Sequence, residues 1–92
     1  MTWSLRPSRS FDKSYRKLSG VAQKRVIRFL SNLEDGVEEL HALPHLKGMK
    51  GYPGYYRFRV GNYRIGIQLD PENEVIELRY VGHRGDFYNH FP

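Results

Sequence analysis

The run YYRFRVGNYRIGIQL, residues 55–69, restricts the fold of this chain more than any other feature. Apolar and polar side chains alternate through it, and the pair Gly61-Asn62 divides it into two halves. A period of two is typical of a strand with one buried face, and a Gly-Asn pair favours a tight two-residue turn. The run is therefore predicted to form a β-hairpin in which Arg59 and Arg64 lie directly opposite each other.

A third strand is predicted over residues 74–81, after a turn with the sequence DPEN. Placing Leu69 opposite Glu74 keeps the apolar side chains of the three strands on one face. That face comprises Tyr56, Phe58, Val60, Tyr63, Ile65, Ile67, Ile76, Leu78 and Tyr80. On the opposite face, this register aligns three arginines across the strands: Arg59, Arg64 and Arg79. The adjacent row holds Arg57, Gly66 and Glu77.

Three neighbouring cations repel one another, so the arginine row requires an explanation. Long arginine side chains can spread into water, and Glu77 offsets part of the charge, so a purely structural arrangement stays open. A binding site for several phosphate oxygens explains the row better, because a polyanion supplies the missing negative charge. Gly66 supports this interpretation, since glycine is often found where a ligand approaches a strand backbone.

The segment before the hairpin predicts a short strand, two helices and a loop. Residues 2–7 have the character of a strand that ends at a proline. Ser8 or Ser10 is expected to cap a first helix, and the apolar spacing predicts a second helix over residues 21–33. Residues 34–54 contain glycines and prolines without a sustained period, so they are expected to form a connecting loop.

These elements predict an α+β fold with the order β-α-α-β-β-β. An antiparallel sheet of about four strands would carry the N-terminal helical hairpin on its apolar face, which leaves the arginine face open to solvent. The length of 92 residues suits one domain that spans residues 1–92.

The charge of the chain favours a polyanionic or acidic partner. The formal net charge is +5, and residues 47–64 contain five basic residues and no acid. These five are Lys47, Lys50, Arg57, Arg59 and Arg64. Eight further basic residues lie within residues 1–28, where a solvated helix surface is the preferred interpretation. Acids gather instead in the segment EDGVEE, residues 34–39, and near the predicted third strand.

The sequence carries no signal for a membrane or for export. No apolar run approaches the length of a transmembrane helix, and the first ten residues lack the apolar centre of a secretion signal. The absence of cysteine excludes disulfide bonds and thiolate chemistry. A cytoplasmic location without membrane association is therefore expected.

Beyond these patterns, the chain resembles the RelE/ParE toxin superfamily, and within it the RelE-type ribosome-dependent mRNA interferases. The most specific segments are YRFRVGNYRI and VGHRGDFY, which follow two helices and a loop that contains LKG. Their order and spacing are similar to that family over nearly the whole chain. The resemblance implies a RelE-like fold and a toxin that cuts mRNA in the ribosomal A site. In such toxins a ribose 2′-hydroxyl attacks the adjacent phosphate, and translation stops.

The resemblance also implies partners and cofactors. Such an endoribonuclease needs no metal and no other cofactor. Its expected partners are a cognate antitoxin protein, the ribosome and mRNA.

The resemblance assigns catalytic positions residue by residue. Arg57 and Arg59 match the two basic positions on the first hairpin strand, and Arg64 matches the arginine after the turn. Arg84 matches the basic residue after the last strand, and Tyr88 matches the aromatic residue of the tail. Guanidinium groups suit phosphate binding, since their planar fork grips pairs of oxygens. Additional contacts to the RNA are expected from Lys47, Lys50 and Arg79.

Two departures from the family concern proton transfer and the tail. Arginine replaces the lysine of well-studied members on the first hairpin strand, and a guanidinium rarely gives up a proton. Histidine titrates near neutrality, so His83 is the candidate for proton transfer, with Tyr88 as a rival that could instead stack on a base. The tail DFYNHFP has room for about one helical turn, whereas many relatives carry a C-terminal helix. The other histidines lack metal-ligand spacing and are expected at the surface: His41, His45 and His90.

Two alternatives stay open. A ParE-like relative would inhibit DNA gyrase through protein contact and would cut nothing, so it would have no need of Arg84 and Tyr88. A noncatalytic RNA-binding or ribosome-binding module would lose affinity, but no cleavage, on removal of Arg57 or Arg59.

Overall fold

Two α-helices cover one face of a five-stranded mixed sheet. The computed structural model describes residues 2–34 and 36–92, so Met1 and Asp35, one of the clustered acids, lie outside the described residues. The helices are α1 (Arg9–Arg16) and α2 (Gly20–Ser31). The strands are β1 (Ser4–Pro7), β2 (Leu46–Gly48), β3 (Tyr55–Val60), β4 (Tyr63–Asp70) and β5 (Val75–His83). Short 3₁₀ helices lie at Leu40–Ala42 and Phe87–Asn89.

The sheet has the strand order β1-β5-β4-β3-β2, which confirms the predicted α+β class. Strands β3, β4 and β5 pair in antiparallel fashion as expected, whereas β1 lies parallel to β5. Strand β2 adds a fifth member inside the segment that was expected to be a loop. Three residues are too few to show a period, and a period carries no information on the direction of a neighbouring strand. In the described part of the chain, no helix combines the length and apolar character needed to cross a bilayer.

Serine caps begin both helices. Ser8 Oγ accepts a hydrogen bond from the Phe11 backbone N–H at 3.1 Å, and Ser19 Oγ accepts one from Ala22 at 3.2 Å. Such acceptors satisfy backbone N–H groups that the first turn of a helix leaves unpaired. Gly20 is the first residue of α2, so this glycine lies at the junction between the two helices.

The core lies between the helices and the inner face of the sheet, which is the face that the helices cover. Its buried residues include Phe11, Val26, Phe58, Ile65 and Ile67. The rings of Phe29 and Phe58 meet edge to face, with 5.1 Å between their centroids. The alternation predicted for β3 and β4 is therefore confirmed, because their apolar side chains fill this core.

The register of β4 against β5 differs from the predicted one. Leu69 lies opposite Ile76 instead of Glu74. The two registers differ by two residues. A difference of an even number leaves each side chain on its predicted face, so the alternation of apolar side chains could not distinguish the two registers. The turn explains the difference, since Glu74 has a positive φ of 52° and β5 begins only at Val75.

A β-bulge changes which side chains of β5 point to the inner face of the sheet and which to the outer face. Gly66 lies opposite Tyr80, but the next residue, Ile67, lies opposite Leu78, so Arg79 is the extra residue of the bulge. Beyond the bulge, the alternation of side chains along β5 is reversed. Tyr80 therefore belongs to the outer face of the sheet, the face away from the helices, and the prediction that placed it in the core was wrong.

Helix α1 protects the part of β5 that β1 leaves unpaired. The pairing of β1 with β5 extends only to Leu78. Beyond this point, Ser10 Oγ donates a hydrogen bond to the Arg79 carbonyl at 2.8 Å, and Ser14 Oγ accepts one from the Val81 N–H at 3.0 Å. Two serine hydroxyls thus take the place of a neighbouring strand along this edge.

The C-terminal tail, residues 86–92, folds back over the outer face. Phe87 and Phe91 are buried there, with their ring centroids 5.4 Å apart. Phe87 also contacts Tyr80 at 6.1 Å, and Phe91 contacts Tyr55 at 5.8 Å. A second, aromatic core therefore covers part of the outer face, and its one 3₁₀ turn agrees with the short helical turn predicted for this tail.

Candidate functional site

Four basic residues form a continuous group on the outer face, beside the turn between β3 and β4. Lys47 lies opposite Arg57 across β2 and β3, and Arg59 lies opposite Arg64 across β3 and β4. Phe58, between the two arginines of β3, is fully buried, so the arginines belong to the outer face. Lys47, Arg57, Arg59 and Arg64 are called the basic cluster below.

The turn at Gly61-Asn62 sets the geometry of the arginine pair. Gly61 has a φ of 59°, which suits a tight turn. The pairing of β3 with β4 confirms the prediction that Arg59 lies opposite Arg64. The Arg64 guanidinium donates hydrogen bonds of 3.0 Å to the carbonyl oxygens of Gly61 and Tyr63. These bonds hold the guanidinium of Arg64 against the turn.

The basic cluster lacks a countercharge in the part of the chain that the structure describes. Two ion pairs occur there, Arg79 with Glu77 and His90 with Asp86, and neither includes a residue of the cluster. Because like charges opposite each other on a sheet are destabilising, a bound polyanion would relieve the repulsion. Within residues 2–34 and 36–92, no group of three or more His, Cys, Asp or Glu side chains could hold a metal ion.

His45 contacts the basic cluster, although the sequence predicted only a surface position for it. Its Nδ1 lies 3.3 Å from a guanidinium nitrogen of Arg59, and its carbonyl accepts the Arg59 N–H at 3.1 Å. Since arginine can only donate, Nδ1 is the acceptor and the ring proton is assigned to Nε2. His45 also has a φ of 70°, an uncommon conformation that recurs at functional sites. No periodic signal marks this residue, because it precedes a strand of only three residues.

Arg79 does not belong to the basic cluster, and the predicted row of three arginines was wrong. Gly82, instead of Arg79, lies opposite Arg64. Arg79 forms an ion pair with Glu77 and lies near the turn between β4 and β5. The error has two causes: the turn between β4 and β5 displaces β5 by two residues relative to the predicted register, and the bulge adds a third.

Gly66 is explained by the tail, so the interpretation that it leaves room for a ligand was wrong. A Cβ atom at this position would lie 2.6 Å from the ring of Phe91. The glycine does permit a close approach to the strand, as predicted, but the approaching group is a side chain of the same molecule.

The end of β5 separates His83 from the basic cluster and brings Arg84 towards it. His83 lies opposite Tyr63 and meets its ring edge to face at 5.6 Å, which places the imidazole on the inner side of the sheet. Its Nδ1 accepts a hydrogen bond from the Gly85 N–H at 3.2 Å. The Arg84 N–H donates to the Asn62 carbonyl at 2.7 Å, so Arg84 is held beside the turn of the cluster.

The two remaining candidates, Tyr88 and Lys50, are both exposed. Tyr88 is 54% exposed and meets the ring of buried Phe87 edge to face at 4.9 Å. An exposed ring held in this way can stack on a base. Lys50 belongs to the loop that connects β2 to β3, three residues after Lys47 of the basic cluster.

Tyr80 lies beside the tail and is poorly suited to removing a proton. Burial raises the pKa of its phenol, and the carboxylate of Asp86 acts in the same direction. Because the charged form of the phenol is disfavoured, Tyr80 stays protonated over a wider pH range than an exposed tyrosine.

Comparisons with known proteins agree with the fold and cover nearly the whole chain. Residues 2–88 match the family described as the ParE toxin of the type II toxin–antitoxin system parDE. Toxin RelE3 from Methanocaldococcus jannaschii is 34% identical over 85 residues, which is 92% of this chain and 94% of that protein.

Solved structures of RelE toxins have the same architecture. The RelB-RelE antitoxin–toxin complex from Methanococcus jannaschii contains a chain with 32% identity and a TM-score of 0.71, over 94% of this chain and 98% of that chain. The RelBE2 complex from Mycobacterium tuberculosis matches with a TM-score of 0.73 over 91% of this chain and 100% of that chain. Its identity of 22% supports the fold alone. This chain belongs to the RelE/ParE superfamily of toxins from type II toxin–antitoxin systems.

Proposed function

We propose that this RelE-type toxin is a metal-independent endoribonuclease that cuts mRNA in the ribosomal A site and so inhibits translation. The observation that carries the proposal is the basic cluster, whose four cations share one face and have no carboxylate partner among the described residues. Phosphodiester groups would supply the missing charge, and arginine binds their oxygens in pairs.

The proposed reaction is an in-line transfer within the RNA. The ribose 2′-oxygen loses its proton and forms a bond to the adjacent phosphorus. The bond from phosphorus to the 5′-oxygen breaks, and that oxygen takes up a proton. The products are a cyclic phosphate and a free 5′-hydroxyl. Negative charge grows on the phosphate during this step, so fixed cationic donors accelerate it.

The arginines have different roles in this proposal. Arg57, Arg59 and Arg84 bind the reacting phosphate and stabilise its growing charge. Arg64 already donates to two carbonyl oxygens of the turn, so it adds charge and keeps the turn in place. Lys47 and Lys50 bind phosphates further along the strand.

We infer that His45, instead of His83, takes the proton from the 2′-hydroxyl. His83 lies on the inner side of the sheet, whereas His45 contacts Arg59 on the outer face. When Arg59 turns to the phosphate, Nδ1 of His45 becomes available as an acceptor next to the reacting group. Tyr88 is left to stack on a neighbouring base.

A cognate antitoxin is the proposed protein partner. The solved complexes from Methanococcus jannaschii and Mycobacterium tuberculosis hold RelE-type toxins together with their antitoxins. With a net charge of +5, this chain would attract an acidic partner. The ribosome and mRNA are the other proposed partners, which places the activity in the cytoplasm.

Cleavage mapping tests the proposal. The purified protein is incubated with a defined mRNA, free in solution and on ribosomes with an open A site, and the cut ends are mapped by primer extension. Cuts are expected only on ribosomes, at the A-site codon. A variant with Arg57→Ala and Arg59→Ala, verified as folded by circular dichroism, is the matched control and is expected not to cut.

Other results have defined meanings. Cuts on free RNA would retain a nuclease but remove its dependence on the ribosome. Folded wild-type protein that cuts neither sample would contradict the proposal.

The ParE family match favours inhibition of DNA gyrase as a second candidate function. A supercoiling assay with purified gyrase distinguishes the two. Gyrase inhibition that persists in the Arg57→Ala and Arg59→Ala variant, together with no RNA cleavage by the wild type, would assign the second function.

A further inference from the structure

A groove of about 440 Å³ lies between α1 and the C-terminal end of β5. One side of α1 and its C-terminal cap line the groove, and Lys13 and Lys17 are among these lining residues. Residues from the end of β5 and from the tail form the opposite side: Tyr80, His83, Asp86 and His90. It is called the α1 groove below.

The α1 groove is positively charged. Among the described residues, neither Lys13 nor Lys17 forms an ion pair. Asp86 is the acid that lines the groove, and its carboxylate already faces His90, with Oδ2 3.2 Å from Nε2. The two lysines are therefore free to bind an anion.

A pair of stacked rings forms one wall of the α1 groove. The rings of Tyr80 and His90 are 5.4 Å apart and inclined by 25°. Gly82 beside them cannot carry a side chain without displacing this wall, because a Cβ atom there would lie 2.9 Å from the Tyr80 ring. A flat aromatic wall next to two ammonium groups suits a nucleotide, which combines a flat base with an anionic phosphate.

The α1 groove continues the line of the basic cluster. Arg59, Arg64 and Gly82 lie opposite one another on β3, β4 and β5, and Gly82 lines the groove. Neighbouring strands are about 4.8 Å apart, so this row spans roughly 10 Å from Arg59 to Gly82. One RNA strand can therefore contact both.

We propose that the α1 groove binds a nucleotide of single-stranded RNA that neighbours the one being cut. Lys13 and Lys17 contact its phosphate, and the wall of Tyr80 and His90 contacts its base. The inference rests on the proposed nuclease function and adds a substrate subsite to it. His83, which lies apart from the basic cluster, then lines this subsite instead of acting on the reacting bond.

Binding of a short 2′-O-methyl single-stranded RNA tests the subsite, because a blocked 2′-oxygen prevents cleavage. Fluorescence anisotropy over a series of potassium chloride concentrations compares the wild type with a Lys13→Ala and Lys17→Ala variant. The matched control carries Lys24→Ala and Arg28→Ala, which remove two charges from α2 outside the α1 groove.

The groove variant is expected to bind the RNA more weakly. The slope of log affinity against log salt should fall by about 0.7 for each phosphate that the variant no longer neutralises, while the control keeps the wild-type slope. A Lys13→Arg and Lys17→Arg variant retains both charges and should bind like the wild type.

Two results would overturn the subsite. An equal drop in affinity in the groove variant and the control would indicate general attraction by positive charge. Unchanged RNA binding together with weaker binding of the antitoxin would assign the groove to a protein partner.

The cleavage assay separates this inference from the proposed function. Wild-type protein that binds RNA through the α1 groove but cuts nothing would refute the nuclease and retain the groove as a binding site for single-stranded RNA. Wild-type cleavage with unchanged binding and cleavage by the groove variant would refute the subsite alone.

Discussion

Arg59 and Arg64 face each other across a hairpin, and their surroundings explain how the chain tolerates this. A like-charged pair costs on the order of 0.2–1 kcal/mol in a sheet. One guanidinium bends back onto the carbonyl oxygens of Gly61 and Tyr63, while the other lies against Nδ1 of His45. A bound phosphate, as proposed above, would relieve the repulsion that is left.

Replacement of Arg84 tests its assignment to the phosphate. We expect Arg84→Ala to leave the fold intact and to lower cleavage of ribosome-bound mRNA at least about a hundredfold, as for the loss of one transition-state donor. The matched control is Arg79→Ala, since Arg79 is paired with Glu77 outside the cluster. Primer extension under single-turnover conditions measures both rates. Near-normal cutting by the Arg84 variant would remove this residue from the mechanism.

Replacement of His45 tests the proton acceptor. Asparagine tolerates the positive φ of 70° at this position but cannot transfer a proton, so His45→Asn isolates the chemical role. We expect cleavage to fall by roughly a hundredfold or more, the scale of general base catalysis. His41→Asn is the control, because His41 packs beside Tyr56 away from Arg59. Equal rates for the two variants would return the role to His83 or Tyr88.

Among the elements, α1 has a structural role that its apolar spacing did not predict. It supports the core through Phe11, and it also completes the edge of β5 through the hydroxyls of Ser10 and Ser14. An edge without a neighbour would otherwise leave polar backbone groups buried without partners. The position of α1 on this edge also creates the α1 groove.

Removal of one of these hydroxyls tests the role of α1 at the edge. In Ser14→Ala the Val81 N–H loses its buried acceptor, which should lower the free energy of unfolding by about 1–3 kcal/mol. Ser31→Ala is the control, since Ser31 is exposed and its hydroxyl only donates to the Ile27 carbonyl. The control should change stability by less than about 0.5 kcal/mol. Urea denaturation measures both, and equal effects would contradict the edge role of Ser14.

The C-terminal tail determines how much of the outer face is exposed to solvent. Its contact with the sheet can be tested at Gly66, where an added methyl group meets the ring of Phe91. Gly66→Ala should lower stability by about 1–3 kcal/mol through overpacking. The same substitution in a Phe91→Ala background should cost much less, because the ring is gone. Gly20→Ala, which meets nothing within 4 Å, should not destabilise the fold. A cost at Gly66 that is independent of Phe91 would refute the contact.

The sequence predicted most of these elements, and the errors have identifiable physical causes. The hairpin, the arginine pair and both helices were predictable because turn chemistry and periodicity act locally. The bulge at Arg79 and the contact of His45 with Arg59 were not, since both depend on how distant segments pair. The position of Phe91 over Gly66 likewise follows from tertiary packing of the tail, for which the sequence has no periodic signal.

At the scale of the whole molecule, the net charge of +5 lowers the free energy of unfolding through repulsion among like charges. Anionic partners are expected to reduce this repulsion. The free energy of unfolding by urea should therefore rise with sodium chloride concentration, by less than about 1 kcal/mol. The rise should be smaller in Arg64→Gln, which removes one member of the cluster. Arg79→Gln should retain the full rise, because its arginine is already paired with Glu77. Stability that is independent of salt would contradict repulsion within the cluster.

Because Phe91 packs on the outer face, the position of a fusion tag on this protein matters. Whatever is attached after Pro92 begins its path on the face that carries the basic cluster. A C-terminal affinity tag or fluorophore would therefore crowd the surface proposed for RNA. Strand β1 begins opposite Val75, at the start of β5, whereas the α1 groove lies at the other end of β5, so an N-terminal fusion leaves that surface accessible. Fusion proteins of the two designs should differ in activity although their sequences contain the same toxin.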